Sequence, residues 1–173
     1  NRMSQATVIK RNTPDPGKDA HALQDRVVPG GVEVFEIQGP FFFGAANRFK
    51  DTLRIVGKRP KVLILRCRYI LFIDATALHA LEELVDKTQK EGTILLLSGI
   101  HAAPLITLEQ SGLYYKIGQD NMFSNIDAAL NRAKLALGRL EIQVRESNLD
   151  ILKYLVGQPE VLSGEITTDW IGT

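Results

Sequence analysis

The apolar positions along the chain predict a sheet whose strands are separated by helices. Residues 32–37 alternate apolar and polar side chains with a period of two, which is typical of a strand with one face in water. Residues 62–65 and 93–98 are almost wholly apolar, as expected for central strands buried on both faces. Residues 6–10 are short and β-branched, and we expect them to form an edge strand.

Apolar residues at helical spacing predict four or five helices around this sheet. Residues 45–56 and 77–88 each carry one apolar stripe, and a third helix follows Pro104. Ser124 and Asp127 resemble a capping box that begins a fourth helix, and a short fifth helix is expected near residues 151–156. The order, strands first and then strands alternating with helices, predicts an α/β sandwich with a small mixed sheet.

One junction between an apolar run and a helix is the strongest candidate for a functional site. Residues 70–73 are apolar and too short for a helix, and the polar-edged tripeptide Asp74-Ala75-Thr76 connects this strand-like edge to the helix that follows. Such a junction concentrates unpaired N–H groups and the positive end of a helix dipole, which readily bind anions. A second helix start follows Ser98. The candidate contacts for an anion or a nucleotide are Thr76, Gly99, Ile100 and His101.

Composition narrows the class of protein without identifying a partner. The 173 residues suit one domain with a full core, and 45% hydrophobic and 24% charged residues are ordinary for a soluble globular protein. Lys and Arg exceed Asp and Glu by only one charge, so nucleic-acid binding is not expected. The single cysteine, Cys67, excludes an internal disulfide. No apolar run approaches the ~20 residues that a membrane helix needs, and the start at Asn1 fits a fragment of a longer protein.

Motifs of the common enzyme classes are absent from the sequence. It contains no glycine-rich phosphate loop, no H-E-x-x-H, no G-x-S-x-G and no cysteine pair. His21, His79 and His101 have no second metal ligand at motif spacing. We therefore expect no catalytic residue, no metal and no cofactor.

A short aromatic segment and a basic helix face are candidate interfaces. Phe41, Phe42 and Phe43 lie between glycines, either as a short strand with two buried rings or as an exposed binding edge. The helix that follows carries Arg48 and Arg54 on its polar side. That side is either simply solvated or attracted to anionic lipid head groups.

Several blocks of the sequence carry a family resemblance. Residues 39–46, 60–65 and 72–84, together with 96–100 and 109–113, resemble in their order a STAS domain. More narrowly, they are similar to the cytoplasmic carboxy-terminal STAS domain of SulP-type sulfate and anion transporters. The resemblance implies a STAS domain over residues 1–138 with an irregular loop at 12–31. Residues 139–173 are then a C-terminal extension that is partly helical or disordered.

The resemblance also implies a role and partners. The chain is expected to be a regulatory and interaction domain at the cytoplasmic face of the plasma (inner) membrane, with no enzymatic activity. Its implied partners are the transmembrane domain of the same transporter, a second copy in a homodimer, and a regulatory protein or kinase. The residues implied in contact with these partners or with the adjacent membrane surface are Phe41, Phe42, Phe43, Arg48 and Arg54.

An alternative within the same fold is a soluble switch similar to the anti-sigma-factor antagonists. In that family the junction reads Asp-Ser-Ser-Gly, and the serine that is phosphorylated corresponds in position to Thr76. The present sequence departs from this pattern at Ala75 and Ala77. Asp74, Ala75 and Thr76 are therefore candidates for a phosphorylation-controlled docking site; alternatively, Asp74 and Thr76 only cap the helix.

Overall fold

The computed structural model describes residues 8–11, 26–38 and 59–156. The predicted helix over 45–56, the aromatic segment 41–43 and most of the irregular segment 12–31 lie outside these residues. The chain divides into two compact units, residues 1–135 and residues 136–173. This division lies three residues before the boundary that the sequence predicts.

A five-stranded mixed sheet forms the centre of the first unit. The strands lie side by side in chain order; the first pair is antiparallel and every later pair is parallel. The parallel register places Val34 beside Ile64, and Ile64 beside Leu96. The predicted α/β class with a small mixed sheet is therefore confirmed. The strands are β1 (Val8–Arg11), β2 (Val32–Gln38), β3 (Val62–Arg66), β4 (Ile94–Ser98) and β5 (Met122–Phe123).

Four α-helices accompany the sheet in the described part of the chain. They are α1 (Ala75–Glu91), α2 (Ala102–Gln110), α3 (Leu113–Ile117) and α4 (Ile126–Val156), with a 3-10 turn at Gln119–Asn121. The helix α1 forms because its apolar residues recur every three or four positions, and Leu81, Leu84 and Val85 are buried as a result. It ends at Gly92, whose φ of 68° is left-handed and favours glycine.

The core lies between the sheet and the helices that follow it. Every residue of β3 is buried, as the continuous apolar run predicts for a central strand. Side chains from β2, β3 and β4 pack against α1 and against the short helices α2 and α3. The members of this cluster with no exposed surface are Phe35, Ile37, Ala77, Leu97 and Leu108.

The helix α4 is one element where the sequence suggests two. Ser147 and Asp150, which resemble the start of a separate helix, lie inside it. Its first turn is capped by Asn125, whose Oδ1 accepts a 2.9 Å hydrogen bond from the Ala128 N–H. Asp127 is instead paired with Arg26, whose Nη2 donates to Oδ2 at 2.8 Å. No helix in the described residues is both long and apolar enough to cross a membrane.

Burial of Cys67 generates a prediction about reactivity and pH. Burial raises the pKa of this thiol from 9.0 to about 12. We expect iodoacetamide at pH 8 to alkylate native Cys67 at least about a hundred-fold more slowly than the unfolded chain, because the reactive species is the thiolate. Because the thiol binds its proton more tightly when folded, its contribution to stability is complete below pH 9 and lost as pH rises towards 12.

The control is Cys67→Ala, which removes the titrating group. The stability difference between the natural chain and this variant should narrow between pH 9 and 11 in urea titrations. A constant difference over that range would contradict the assignment.

Candidate docking surface

The site predicted from the sequence lies where two neighbouring parallel strands end. Arg66 and Ser98 are the last residues of β3 and β4 and lie opposite each other in the register. The Cys67 N–H donates to the Ser98 carbonyl at 2.8 Å, which continues the pairing one residue further. The loops to α1 and α2 both leave from this edge. The carboxyl edge of a parallel sheet is where α/β proteins usually place their binding sites.

Contacts around Arg68 hold the two loops together. Gly99 has a φ of 71°, and a Cβ atom added there would lie 3.2 Å from the Arg68 Cβ. The His101 Nε2 lies 2.6 Å from the Arg68 carbonyl oxygen. Because a carbonyl can only accept, Nε2 carries the proton. Glycine at position 99 therefore permits a close approach that any side chain would oppose.

The same contacts bear on the predicted anion site. The structure brings Gly99 and His101 to the carboxyl edge, as expected, but their donors are engaged within the protein. The Gly99 N–H donates to the Phe123 carbonyl at 2.9 Å, and the His101 ring is bound to Arg68. Thr76 lies on a different element, in the first turn of α1, and Ile100 is half-buried against the core. Anion or nucleotide binding by these four residues stays a prediction.

A buried cluster of charged residues lies at this edge. Glu36 on β2 lies opposite Arg66 on β3, and Glu36 Oε1 is 3.3 Å from Arg66 Nη1. Arg68 Nε donates to the same carboxylate oxygen. The side chains of Glu36 and Arg66 are only 8% and 4% exposed. The carboxylate thus fixes the ends of two strands and the start of the loop to α1.

The helix start is capped by Asp74. Its Oδ1 accepts a 2.7 Å hydrogen bond from the Ala77 N–H, and its backbone is extended, with φ −87° and ψ 172°. Ala75 and Thr76 are exposed on the first turn. The methyl group of Ala77 is fully buried in the core. The departure from glycine at position 77 therefore adds packing inside the domain and leaves the exposed surface unchanged.

Apart from a single β-bridge at Ile73, the apolar run before the helix is a loop with two exposed side chains, which corrects the strand-like interpretation. The strand β3 ends at Arg66, and Ile70 and Ile73 point into the core. Leu71 and Phe72 between them are 66% and 50% exposed. A run of four apolar residues does not show which of its side chains are buried by the fold. The exposure of Leu71 and Phe72 was therefore not predicted from the sequence.

Tyr69 is a third exposed side chain in the same loop as Leu71 and Phe72. It is 43% exposed, and the guanidinium of Arg68 lies 4.6 Å from its ring centroid. Large exposed apolar side chains that cluster in one segment are typical of contact sites. We call this surface the docking corner. It consists of Tyr69, Leu71, Phe72, Asp74, Ala75 and Thr76.

Charged residues on the exposed face of α1 form ion pairs. Lys116 Nζ lies 2.6 Å from Asp86 and 3.6 Å from Glu82, and the hydrogen bond to Asp86 is the main cause of its raised pKa. His79 lies 3.7 Å from Glu83. The two contacts of Lys116 join α3 to α1, whereas the contact of His79 lies within α1. No group of three or more His, Cys, Asp or Glu residues within 8–11, 26–38 and 59–156 is arranged to hold a metal ion.

The remaining predicted interface residues lie outside the described part of the chain. They are Phe41, Phe42, Phe43, Arg48 and Arg54. Their involvement with a membrane or a partner therefore stays a prediction from the sequence.

Comparison with protein families and curated proteins identifies relatives of the chain. The family model for the STAS domain matches residues 24–129. YvdB of Bacillus subtilis, which is named as a sulfate transporter, is 31% identical over 127 residues. The match covers 73% of this chain and 23% of YvdB, so the chain spans about a quarter of that relative's length.

Comparison with solved structures leads to the same group of proteins. A sulfate transporter family protein from Wolinella succinogenes is 46% identical, and the match covers 69% of this chain and 98% of that one with a TM-score of 0.67. The STAS domain of a SulP transporter from Vibrio cholerae is 29% identical, with 65% and 88% covered and a TM-score of 0.59. The predicted STAS fold and its homology to the STAS domains of sulfate transporters are therefore confirmed.

The cap at Asp74 generates a stability prediction. Asp74→Ala should lower the free energy of unfolding by about 1 kcal/mol, because the Ala77 N–H loses its acceptor at the helix start. Asp74→Asn should retain most of that stability, since its side-chain oxygen accepts the same bond. Urea denaturation followed by circular dichroism measures both variants. Equal losses in the two would show that charge, and not the cap hydrogen bond, is what Asp74 contributes.

The buried carboxylate of Glu36 generates a second stability prediction, with a larger expected loss. Glu36→Gln should lower the free energy of unfolding by about 3–5 kcal/mol, because it removes the buried charge that two guanidinium groups contact. Glu109→Gln, at an exposed position on α2, is the control and should change it by less than about 0.5 kcal/mol. Similar small effects in both variants would refute the importance of the cluster.

Proposed function

Because the chain belongs to the STAS domain family, we propose that it is the cytoplasmic regulatory and interaction domain of a sulfate-type anion transporter. The homology to domains of SulP transporters supports this assignment. In this proposal the chain lies at the cytoplasmic face of the plasma (inner) membrane, next to the transmembrane domain of the same protein. It neither catalyses a reaction nor carries the anion itself.

The docking corner is the observation that carries the proposal. Leu71 and Phe72 expose apolar surface, while Ile70 and Ile73 anchor the loop in the core on either side. The adjacent cap at Asp74 and the contacts of Arg68 hold the backbone in place. An apolar surface on a rigid frame loses little conformational entropy when it binds, so it suits docking to a protein partner.

Docking of this kind regulates by differential affinity. A domain that binds one conformation of a transport domain more tightly than another shifts the population towards the bound one. No chemical step in the STAS domain is needed for this effect. The partner proposed for the docking corner is therefore the transmembrane domain, with a regulatory protein or kinase acting on the same surface.

Thr76 is the proposed point of control. Its side chain is exposed in the first turn of α1, four residues after Phe72 in the sequence. A phosphate there would be stabilised by the helix dipole and would place negative charge against any apolar or acidic partner surface. A phosphate on Thr76 would thus leave the fold intact but weaken binding at the docking corner.

The docking corner is tested by replacing its two most exposed apolar side chains. The double variant Leu71→Ser/Phe72→Ser should bind the purified transmembrane domain at least about ten-fold more weakly, because central apolar anchors dominate interface energies. It should also change sulfate uptake when introduced into the transporter that carries this domain. Titration of the labelled domain measures the first effect, and radiolabelled sulfate uptake measures the second.

The matched control is Ile106→Ser, which removes a 52% exposed apolar side chain from α2. It should leave binding unchanged. Equal binding by the double variant and the natural chain, with both folded by circular dichroism, would overturn the docking assignment.

A single substitution tests the control by phosphate. Thr76→Glu should leave the unfolding midpoint unchanged or slightly raised, since an acidic residue is favourable in the first turn of a helix. The same variant should weaken binding of the transmembrane domain, whereas Thr76→Ser should not. Unaltered binding by Thr76→Glu would remove Thr76 from the proposal.

A further inference from the structure

The side chain of His101 precedes α2 but bonds to a neighbouring loop and not to its own helix. The residue before a helix stabilises it most when a side-chain oxygen accepts a hydrogen bond from the first turn, which is why Ser, Thr, Asp and Asn are preferred there. The His101 side chain makes no such bond. Its Nε2 instead donates to the Arg68 carbonyl oxygen at 2.6 Å. A contact with the loop to α1 thus takes the place of a helix cap.

Burial does not explain the position of this imidazole. His101 is exposed, and so are Ala102 and Ala103, which follow it in α2. A single hydrogen bond at the surface adds little net free energy to folding, because water competes for both partners. Positions at which a sequence departs from the local preference without a gain in stability are often functional. The contact of His101 is therefore better explained by its effect on the loop that contains Arg68.

The Arg68 carbonyl belongs to the central peptide of a tight turn. The Ile70 N–H donates to the Cys67 carbonyl at 2.9 Å, so Arg68 and Tyr69 are the two central residues of this turn. The common types of turn differ mainly in how this central peptide is rotated. Because the peptide bond is planar, a carbonyl that is held in one direction also fixes the direction of the Tyr69 N–H. The bond from His101 thus fixes the backbone where the docking corner begins.

The backbone that carries His101 is itself held on both sides. The Gly99 N–H donates to the Phe123 carbonyl of β5 at 2.9 Å, and the Leu105 N–H of α2 donates to the His101 carbonyl at 3.0 Å. Gly99 also lets this segment approach Arg68 closely, because a Cβ atom at position 99 would lie 3.2 Å from the Arg68 Cβ. The imidazole therefore donates to the turn from a fixed support.

We propose that His101 is a positioning residue for the docking corner. Its imidazole holds the central peptide of the turn so that Tyr69, Leu71 and Phe72 are presented in one arrangement. A loop that already has its bound conformation loses less entropy on binding, so its affinity is higher. This inference rests on the proposed docking function, and it adds the start of α2 to the elements that set the affinity. His101 acts through Arg68 and needs no contact with the partner.

Two substitutions at position 101 separate positioning from stability. His101→Asn supplies a good helix cap, but its side chain is too short to reach the Arg68 carbonyl, so the unfolding midpoint in urea should stay unchanged or rise. In the full 173-residue chain, the Ile70 amide of the same variant should exchange with deuterium about five-fold faster, because the turn opens more often. His101→Gln, whose longer side chain ends in a donor, should restore the slower exchange.

Binding to the purified transmembrane domain extends the test to docking. His101→Asn should bind about five-fold more weakly than the natural chain, and His101→Gln should bind about as tightly as the natural chain. The matched control is His79→Asn, which removes another exposed histidine, one whose ion pairs lie within α1. It should change neither the exchange of the Ile70 amide nor the binding.

Three results would refute the positioning role. They are unchanged exchange of the Ile70 amide in His101→Asn, equal acceleration of the Leu97 amide in β4, which would indicate general destabilisation, and faster exchange at Ile70 without weaker binding. Failure of the docking function is recognised separately, because the double variant Leu71→Ser/Phe72→Ser would then bind as tightly as the natural chain. The exchange of the Ile70 amide needs no partner, so it tests the contact of His101 in either case.

Discussion

The carboxylate of Glu36 is the constraint on which the ordered edge of the sheet depends. It is buried two residues before the end of β2 and contacts guanidinium groups from the end of β3 and from the following loop. Removing these charges from water is costly, and the cost is offset only if the pairing geometry is kept. The backbone at Arg66 and Arg68 is therefore fixed by electrostatics inside the domain. Gly99 and His101 then pack against Arg68 and so add contacts that hold the loop to α1.

Local sequence patterns predicted an element correctly where a single property of the sequence determined its structure. The continuous apolar run at 62–65 predicted a central strand, and an aspartate before an amphipathic segment predicted the capped start of α1. The contact between Glu36 and Arg66 could not be predicted from the sequence, because it follows from the register of two parallel strands that a long connection separates. Leu71 and Phe72 were missed for a related reason. Their exposure depends on which residues the fold places around them, and the spacing of apolar residues along the chain does not show this.

The continuity of α4 was obscured by competing local signals. Ser147 and Asp150 are residues that favour helix starts, and Gly138 is unfavourable inside a helix by about 1 kcal/mol. Neither feature ends the helix in the structure. Propensity is a weak determinant when apolar residues recur on both sides of such positions. The apolar residues that continue beyond residue 147, among them Leu149 and Leu152, were the stronger signal.

The burial of Ala77 changes the interpretation of the positions at which this sequence differs from the anti-sigma-factor antagonists. The methyl group at this position lies inside the core, so it does not keep partners away from the backbone. The outer surface is set by Ala75 and Thr76, together with the exposed loop that precedes them. A regulatory phosphate needs only an exposed hydroxyl and a neighbouring interface that its charge disturbs. Thr76 has an exposed hydroxyl, and the interface that we propose includes Leu71 and Phe72, so the proposed control by phosphate would require a change in affinity but no change in fold.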